Sequence, residues 1–228
     1  MSTVAGLVPF TSIDYPEHLA AVVFFKGCPL KCPFCHNPDL QTADGPGSIT
    51  WDEVLTFLQQ RKGRLDGVVL SGGEPLLQPD ILQCAQQIQN MGFKVGIHTS
   101  GVYPEKLRDI LPYTNWVGLD IKAPWDKYDL LCGRPNMAQK VQKSLSILIN
   151  SGLAFETRTT CDPAHLNPDD VLQIASELKH VGVKTYALQK YRTFTGDKHP
   201  PEQSAIESFF RPSNLSPIRA LYPDLILR

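Results

Sequence analysis

The sequence lacks a second cysteine pair, and this absence bears on zinc binding. Cys28, Cys32 and Cys35 lie close together, whereas the other three cysteines stand alone at positions 84, 132 and 161. A closed structural zinc site needs four ligands, which commonly come from two separated pairs. The spacing therefore does not favour structural zinc, although His36 or one of the single cysteines remains available as a fourth ligand.

The sequence also has no surplus of basic residues, no long apolar run and no signal-like start. It carries 22 basic residues against 23 acidic residues, so we predict no nucleic acid partner. Its longest apolar runs, such as 19–25, are far shorter than the roughly 20 residues of a membrane helix. Residues 1–20 lack a basic segment followed by a hydrophobic core and a small-residue cleavage site. We therefore expect no membrane partner, a cytoplasmic location and reduced cysteines.

Short apolar segments alternate with amphipathic ones along the chain. The chain has 228 residues, of which 42% are hydrophobic, enough for one well-buried core. Segments in which apolar and polar residues alternate, and short continuous apolar segments, predict strands. These lie at 20–25, 68–70, 93–97, 116–121, 153–161 and 183–189. Apolar stripes and capping residues predict helices near 50–58, 80–91, from 104, through 141–148, from 167 and near 201–210.

Repeated strand–helix units favour a parallel sheet. Six units are too few for a closed eight-stranded barrel. We therefore predict an α/β fold in a single domain over residues 1–228, as a partial (βα)6 barrel that is open laterally. The site should lie at the carboxyl ends of the strands. A flat doubly wound sheet is the alternative, and it places functional loops at the same edge.

Three cysteines within eight residues form the most specific motif. Cys28, Cys32 and Cys35 follow the first predicted strand with the spacing Cys-x3-Cys-x2-Cys. Three thiolates can hold a four-iron cluster through three of its irons, which leaves the fourth iron open to another ligand. The spacing therefore indicates a reactive cluster.

Polar residues and glycines follow three further strands. The segment 71–75, Ser-Gly-Gly-Glu-Pro, comes directly after strand 68–70, and its glycines allow a ligand to approach the backbone. The segments 98–101 and 120–122 close the next two strands. Taken singly, each of these three segments also has an ordinary structural interpretation, as a turn, a helix cap or a solvated ion pair. Because all of them share one predicted edge with the cysteine loop, we interpret them together as a ligand site.

The motif pair resembles that of the radical S-adenosylmethionine enzymes, and the resemblance spans nearly the whole chain. It consists of the three cysteines, with Phe34 before the last, and Gly-Gly-Glu-Pro at 72–75. Cys-His-Asn at 35–37 and Asp-Ile-Lys at 120–122 are similar to the activating enzymes of glycyl radical proteins.

Further segments resemble the anaerobic ribonucleoside-triphosphate reductase activating protein family. They are 6–10, Gly-Leu-Val-Pro-Phe, together with 14–16, Asp-Tyr-Pro, and 188–189, Leu-Gln. One position departs from some glycyl radical activating enzymes, which carry an aspartate where this chain has His98. That aspartate helps to bind a monovalent cation, so we interpret His98 as a packed or hydrogen-bonded strand-end residue.

The resemblance implies two cofactors, a 4Fe-4S cluster and S-adenosyl-L-methionine. Cys28, Cys32 and Cys35 would bind the cluster, and reductive cleavage of S-adenosylmethionine would give methionine and a 5'-deoxyadenosyl radical. The implied cofactor-binding residues are Phe34, Gly72, Gly73, Glu74, Thr99, Ser100, Asp120, Lys122 and Arg158. No catalytic side chain is predicted beyond these.

Several of these residues have more specific implied roles. Phe34 would pack near the adenine. Gly72, Gly73 and Glu74 would hold the methionine amino group, and Lys122 would neutralise the methionine carboxylate.

Other residues receive lesser roles or none. Glu156 lies on the same strand face as Arg158, and His36 is interpreted as support for the cluster loop. We interpret Cys84 as a small buried hydrophobic residue, and we assign no role to Cys132 and Cys161.

The implied function is activation of a glycyl radical protein such as anaerobic ribonucleoside-triphosphate reductase, with an electron donor of flavodoxin or ferredoxin type. A small-molecule radical enzyme similar to 7-carboxy-7-deazaguanine synthase is the main alternative. A non-enzymatic iron-sulfur or zinc redox module is a third. The basic residues Lys190, Arg192, Lys198 and His199 fit either an acidic partner or a solvated loop.

Overall fold

Strands and helices alternate along the chain. The structure is a computed structural model that describes residues 3–43, 45, 47–193 and 200–228. Lys198 and His199 lie outside the described residues. Within these, the strands are β1 (Val4–Thr11), β2 (Ala20–Phe25), β3 (Gly67–Gly72), β4 (Lys94–Thr99), β5 (Trp116–Asp120), β6 (Ala154–Cys161), β7 (Tyr186–Lys190) and β8 (Ile226–Leu227).

The helices occupy the connections between the strands. In the described parts of the chain they are α1 (Trp51–Arg61), α2 (Ile81–Asn90), α3 (Pro104–Ile110), α4 (Tyr128–Cys132), α5 (Met137–Ser151), α6 (Pro168–His180), α7 (Gln203–Ser208) and α8 (Pro212–Leu221). None of the described helices has both the length and the apolar character needed to cross a membrane.

The predicted α/β fold is confirmed, with two strands more than expected. Across the described residues the sheet has the order β1 to β8 along the chain and does not close. All six predicted strands are present as β2 to β7. The additional strands are β1, which pairs antiparallel with β2, and the two-residue β8, which pairs parallel with β7.

The residues group into two compact units. The first comprises Met1–Leu30, Asn37–Gly118 and Lys140–Ala154, and the second comprises Lys31–His36, Leu119–Gln139 and Phe155–Arg228. The single domain over residues 1–228 stays a prediction.

The first unit contains parallel strands whose carboxyl ends carry the predicted loops. β2 pairs parallel with β3, and β3 pairs parallel with β4. The helix predicted near 50–58 is confirmed as α1, and Thr50 caps it: its side chain accepts a hydrogen bond from the Glu53 backbone, and the Glu53 side chain accepts one from the Thr50 backbone.

A buried aromatic cluster packs within this unit, where Tyr15 and Trp116 stack with ring centroids 5.5 Å apart. A Cβ atom on Gly67 or Gly96 would lie 3.0 or 3.2 Å from the Tyr15 ring. The two strand glycines therefore make room for Tyr15.

The second unit contains the other strand pairs and helices. β6 pairs parallel with β7, with Thr157 opposite Tyr186. Helix α6 begins as predicted at Asn167, whose side chain forms a capping box with Asp170. Its buried residues are Asp170, Val171, Ile174, Ala175 and Leu178. The sequence pattern predicts four of these, Val171, Ile174, Ala175 and Leu178, as the apolar stripe of the helix.

Candidate functional site

The segment Gly72–Gly73–Glu74 packs directly against the start of the cysteine loop. The backbone N–H of Glu74 donates to the carbonyl of Gly27 at 2.9 Å, and that of Gly73 donates to Phe25 at the same distance. A Cβ atom on Gly73 would lie 2.4 Å from the Gly27 carbonyl oxygen. Glycine is therefore required at position 73 for the two segments to meet.

Close backbone contacts also fix the positions of Gly72 and Cys28. A Cβ atom on Gly72, whose φ is +122°, would lie 2.3 Å from the backbone N and O of Phe25. Downstream of Gly27, the N–H of Cys28 donates to the carbonyl of Gln41 at 3.0 Å. The first predicted ligand thus lies on backbone that β2, β3 and the end of the loop fix in place.

Glu74 is fully buried and accepts four hydrogen bonds. Its Oε1 accepts from the Leu76 N–H at 3.1 Å and from the Thr99 hydroxyl at 2.8 Å. Its Oε2 accepts from both the N–H and the hydroxyl of Ser100, at 2.8 and 2.5 Å. Each carboxylate oxygen has about two lone-pair sites, so these donors use the acceptor capacity of the side chain.

Burial raises the pKa of Glu74 above its usual range, while the hydrogen bonds from Ser100 and Thr99 act in the opposite direction. The side chain connects the loop after β3 with the end of β4. The structure therefore brings Glu74, Thr99 and Ser100 together, and the predicted contact of Glu74 with the methionine amino group stays a prediction.

The second and third cysteines lie in a tight turn that contacts α4. The N–H of Cys35 donates to the carbonyl of Cys32 at 3.3 Å, and the N–H of Lys31 donates to the carbonyl of Cys132 at 3.1 Å. The thiols of Cys32 and Cys132 also form a hydrogen bond. This bond is the largest cause that lowers the pKa of Cys32 to about 6, although burial opposes it, and Lys122 adds to the lowering.

Asp120 at the end of β5, Lys122 just after it and Arg158 in β6 form a group of paired charges. Arg158 donates through Nε to Asp120 Oδ1 at 2.9 Å and has Nη2 2.7 Å from the same oxygen. Lys122 Nζ lies 3.6 Å from Asp120 Oδ2. Burial is the largest single effect and would lower the pKa of Lys122, but the charge of Asp120, then that of Cys32, and smaller contributions from Tyr128 and Cys132 together hold the pKa above its usual range. Lys122 is therefore kept as a cation.

Aromatic side chains lie beside this group of charged residues. The Nζ of Lys122 is 5.8 Å from the centroid of the Phe34 ring, within the range of a cation–π contact. Phe34 also lies 6.2 Å from the His165 ring, and His36 lies 5.4 Å from the Tyr191 ring. Burial lowers the pKa of His36, which favours the neutral ring.

The predicted site residues divide equally between the two units. The first unit brings together Cys28, Gly72, Gly73, Glu74, Thr99 and Ser100, and the second contains Cys32, Phe34, Cys35, Asp120, Lys122 and Arg158. Glu156, which the sequence placed beside Arg158, instead pairs with Arg228, whose Nη2 lies 3.0 Å from Glu156 Oε2.

His98 has the packed, hydrogen-bonded position predicted for it. Its Nε2 lies 2.8 Å from the carbonyl oxygen of Asp14, and its ring meets Trp116 edge-on at 5.6 Å. The segment 14–16, which the sequence carried as a family resemblance, thus has a structural role in the first unit. Tyr15 fills the core, and Asp14 orients the strand-end histidine.

Sequence reasoning missed Cys132. This residue is fully buried at the end of α4, and its thiol contacts a predicted cluster ligand. No spacing rule connects a single cysteine to a motif so distant along the chain. The glycine at position 133 is the one local signal, because it marks the helix end that turns the chain back toward Lys31.

The donor chemistry of the cysteine loop fits an iron-sulfur cluster. All six cysteines are free thiols, and Cys28 and Cys35 are partly exposed. A lowered pKa favours the thiolate of Cys32, which is the form that binds iron. Among the described residues no three His, Cys, Asp or Glu side chains group around a single metal position. The ligand assignment therefore rests on the spacing and the donor chemistry.

Comparison with known families gives a match over most of the chain. Residues 22–178 match the Radical SAM superfamily, whose enzymes use a 4Fe-4S cluster and S-adenosylmethionine. The chain is 31% identical over 195 residues to a protein of Methanocaldococcus jannaschii provisionally named glycyl-radical enzyme activating enzyme. This alignment covers 82% of the chain and 79% of the relative.

A second relative has similar coverage. The pyruvate formate-lyase-activating enzyme of Clostridium pasteurianum is 31% identical over 195 residues, covering 82% of the chain and 81% of that enzyme. Among solved structures, Streptococcus suis SuiB bound to S-adenosylmethionine has a TM-score of 0.69 at 15% identity. The match covers 89% of this chain but only 48% of SuiB. QueE from Escherichia coli has a TM-score of 0.57 at 16% identity and covers 100% of this chain.

Proposed function

This chain belongs to the radical SAM superfamily, and we propose that it activates a glycyl radical enzyme by removing a hydrogen atom from a glycine of that partner. The observation that carries this proposal is the similarity to two relatives named as activating enzymes, each 31% identical and covered over 79% or more of its length. The proposed partner is anaerobic ribonucleoside-triphosphate reductase or a similar glycyl radical protein. A flavodoxin or ferredoxin would donate the electron.

The cysteine loop would hold the cluster. Cys28, Cys32 and Cys35 provide three thiolates, and the free position on the fourth iron would be left for S-adenosylmethionine. When bound, the reduced cluster and S-adenosylmethionine supply a 5'-deoxyadenosyl radical by reductive cleavage. The remaining task of the protein is to bind, orient and shield the reactants.

The loops at the strand ends would orient S-adenosylmethionine. Gly72 and Gly73, with Glu74, would hold the methionine amino group. Lys122, which Asp120 helps to keep charged, would neutralise the methionine carboxylate. Thr99 and Ser100, both held by Glu74, would contact the rest of the cofactor, and Phe34 would pack on its adenine.

The proposal is tested with the cluster-loaded protein, a reductant, S-adenosylmethionine and a glycyl radical protein from the same organism, all without oxygen. Electron paramagnetic resonance should show a glycine-centred doublet. Cys32→Ala should lose the cluster and the doublet, whereas Cys161→Ala, which alters a buried cysteine outside the motif, should keep both. Cleavage of S-adenosylmethionine without a doublet would contradict the proposal and indicate a different substrate.

A further inference from the structure

We infer that His165 is a cofactor-binding residue, whose Nε2 accepts a hydrogen bond from the 6-amino group of the adenine of S-adenosylmethionine. The inference rests on one part of the proposed function, the packing of that adenine on Phe34. His165 lies outside both the cysteine motif and the Gly-Gly-Glu-Pro segment, so no motif in the sequence assigns it a role. Three structural observations support the inference.

The first observation is that a buried carboxylate fixes the His165 ring. Nδ1 of His165 lies 2.5 Å from Oδ2 of Asp162, whose side chain is only 3% exposed. An ionised carboxylate can only accept hydrogen bonds, so Nδ1 carries the proton between these two atoms. In the neutral ring the other nitrogen, Nε2, then has a bare lone pair and acts as an acceptor.

The second observation is that backbone groups already close the turn in which this pair lies. The carbonyl of Asp162 accepts from the N–H groups of His165 and Leu166, at 3.1 and 2.9 Å. Oδ1 of Asp162 accepts from the N–H of Ala164 at 3.1 Å. The turn is therefore formed without the imidazole, and the carboxylate that holds the imidazole is itself held in place.

The third observation is that the ring lies beside Phe34 and at a strand end. Asp162 directly follows β6, and ligands of parallel sheets bind outside the carboxyl ends of the strands. The ring centroids of His165 and Phe34 are 6.2 Å apart, with the ring planes at 50°. A flat adenine packed on Phe34 would therefore have an edge within reach of the imidazole.

The outer edge of the imidazole is available to a ligand. The His165 side chain is 34% exposed, and its Nε2 has no hydrogen-bond partner in the parts of the chain that the structure describes. An amino group is a donor, and it matches the acceptor that Asp162 creates at Nε2. His165 would thus favour adenine over a purine that lacks the 6-amino group.

The experiment measures cofactor binding instead of turnover. The cluster-loaded protein is kept oxidised, so that it does not cleave the ligand. Isothermal titration calorimetry then gives the Kd for S-adenosylmethionine and for the analogue that carries hydrogen in place of the 6-amino group. Because the analogue lacks one hydrogen bond, the wild-type protein should bind it about fivefold more weakly.

Three variants test whether His165 causes this preference. His165→Phe keeps a planar ring without Nε2, and it should bind both ligands equally, each about fivefold more weakly than the wild type binds S-adenosylmethionine. His165→Gln carries an amide oxygen in place of Nε2 and should keep part of the preference. His180→Phe is the matched control, because it alters an exposed histidine of the same unit, and it should keep the wild-type ratio.

The tautomer is measured separately, in cluster-free protein labelled with nitrogen-15 at histidine. Nuclear magnetic resonance at the pH of the binding measurement should show His165 with a protonated Nδ1 and a bare Nε2. The signal that is lost in His165→Phe identifies the residue. A protonated Nε2 would overturn the inference, because that atom would then donate and could not accept from an amino group.

A preference for S-adenosylmethionine that is unchanged in His165→Phe, or absent in the wild type, would overturn the inference and leave the proposed function intact. Conversely, a preference that depends on His165, in a protein that forms no glycyl radical on its partner, would overturn the proposed activation alone. Circular dichroism of the cluster-free variants shows whether each is folded. If His165→Phe does not fold, His165→Leu takes its place.

Discussion

Ser100 donates twice to the same carboxylate oxygen of Glu74, through its N–H at 2.8 Å and through its hydroxyl at 2.5 Å. Thr99 donates to the other oxygen. Glu74 belongs to the loop after β3, whereas Ser100 and Thr99 lie at the end of β4. One buried side chain therefore fixes two of the strand-end segments that we propose for the cofactor site.

The first prediction concerns the stability that this contact provides. Ser100→Ala should lower the free energy of unfolding by about 1 to 3 kcal/mol, because it leaves a buried carboxylate with one donor fewer. Urea denaturation of the cluster-free protein measures the change. Ser204→Ala is the matched control, since Ser204 also donates its hydroxyl to a carboxylate, that of Glu202, but is exposed. A change in Ser100→Ala no larger than in the control would contradict the prediction.

The second prediction concerns the close approach at Gly73. Its Cβ position lies 2.4 Å from the Gly27 carbonyl oxygen and 2.7 Å from that of Leu40, and neither backbone atom can rotate away. Gly73→Ala should destabilise the protein by about 1 to 3 kcal/mol or more and reduce cluster uptake.

Gly6→Ala is the control for this substitution, because a Cβ at Gly6 meets nothing within 4 Å. Urea denaturation and iron content report on both variants. Normal cluster uptake and stability in Gly73→Ala would show that the two segments separate without cost.

The third prediction uses two neighbouring tyrosines with different partners. The hydroxyl of Tyr186 donates to Thr159 at 2.9 Å, whereas that of Tyr222 is buried and has no partner among the described residues. Tyr222→Phe should therefore raise the free energy of unfolding by about 1 kcal/mol, and Tyr186→Phe should lower it by about as much. The two rings lie 5.4 Å apart, so each variant serves as the control for the other. Destabilisation of both would contradict the assignment.

The fourth prediction concerns alkaline pH. Burial raises the pKa of Tyr222 to about 12 from its ordinary value of 10. The neutral phenol of Tyr222 therefore makes its full contribution to the stability of the folded state below pH 10. This contribution is lost as the pH rises toward 12, because the phenol of the unfolded chain ionises first. The stability advantage of Tyr222→Phe should accordingly grow between pH 10 and pH 12, as measured by urea denaturation at each pH. A difference that stays constant over this range would show that the folded phenol titrates normally.

Local rules predicted much of the fold. Thr50 and Asn167 begin helices because a capping side chain and its partner three residues on are visible in the sequence. Strand β1 was not predicted, because Gly6 and Pro9 interrupt the strand pattern of its sequence. Its extended conformation is defined by its pairing with β2. The two-residue β8 is likewise defined only by its contact with β7.

The site was predictable where residues adjacent in sequence act together. The cysteine spacing and the double glycine at 72 and 73 are such cases. The partners of Glu74 and of Cys32 were not predictable, because Ser100 and Cys132 reach them through strand pairing and the placement of α4. Side-chain contacts over such sequence distances depend on tertiary packing, which spacing alone does not encode.

The most direct test of the proposed function follows a single hydrogen atom. A glycyl radical partner is prepared with glycine deuterated at Cα and incubated without oxygen with the cluster-loaded protein, reductant and S-adenosylmethionine. Mass spectrometry then measures deuterium in the 5'-deoxyadenosine that forms. We predict 5'-deoxyadenosine carrying one deuterium, and none when the radical glycine of the partner is replaced by alanine. Unlabelled 5'-deoxyadenosine in both reactions would contradict the account, because the radical would then act on something other than the partner's glycine.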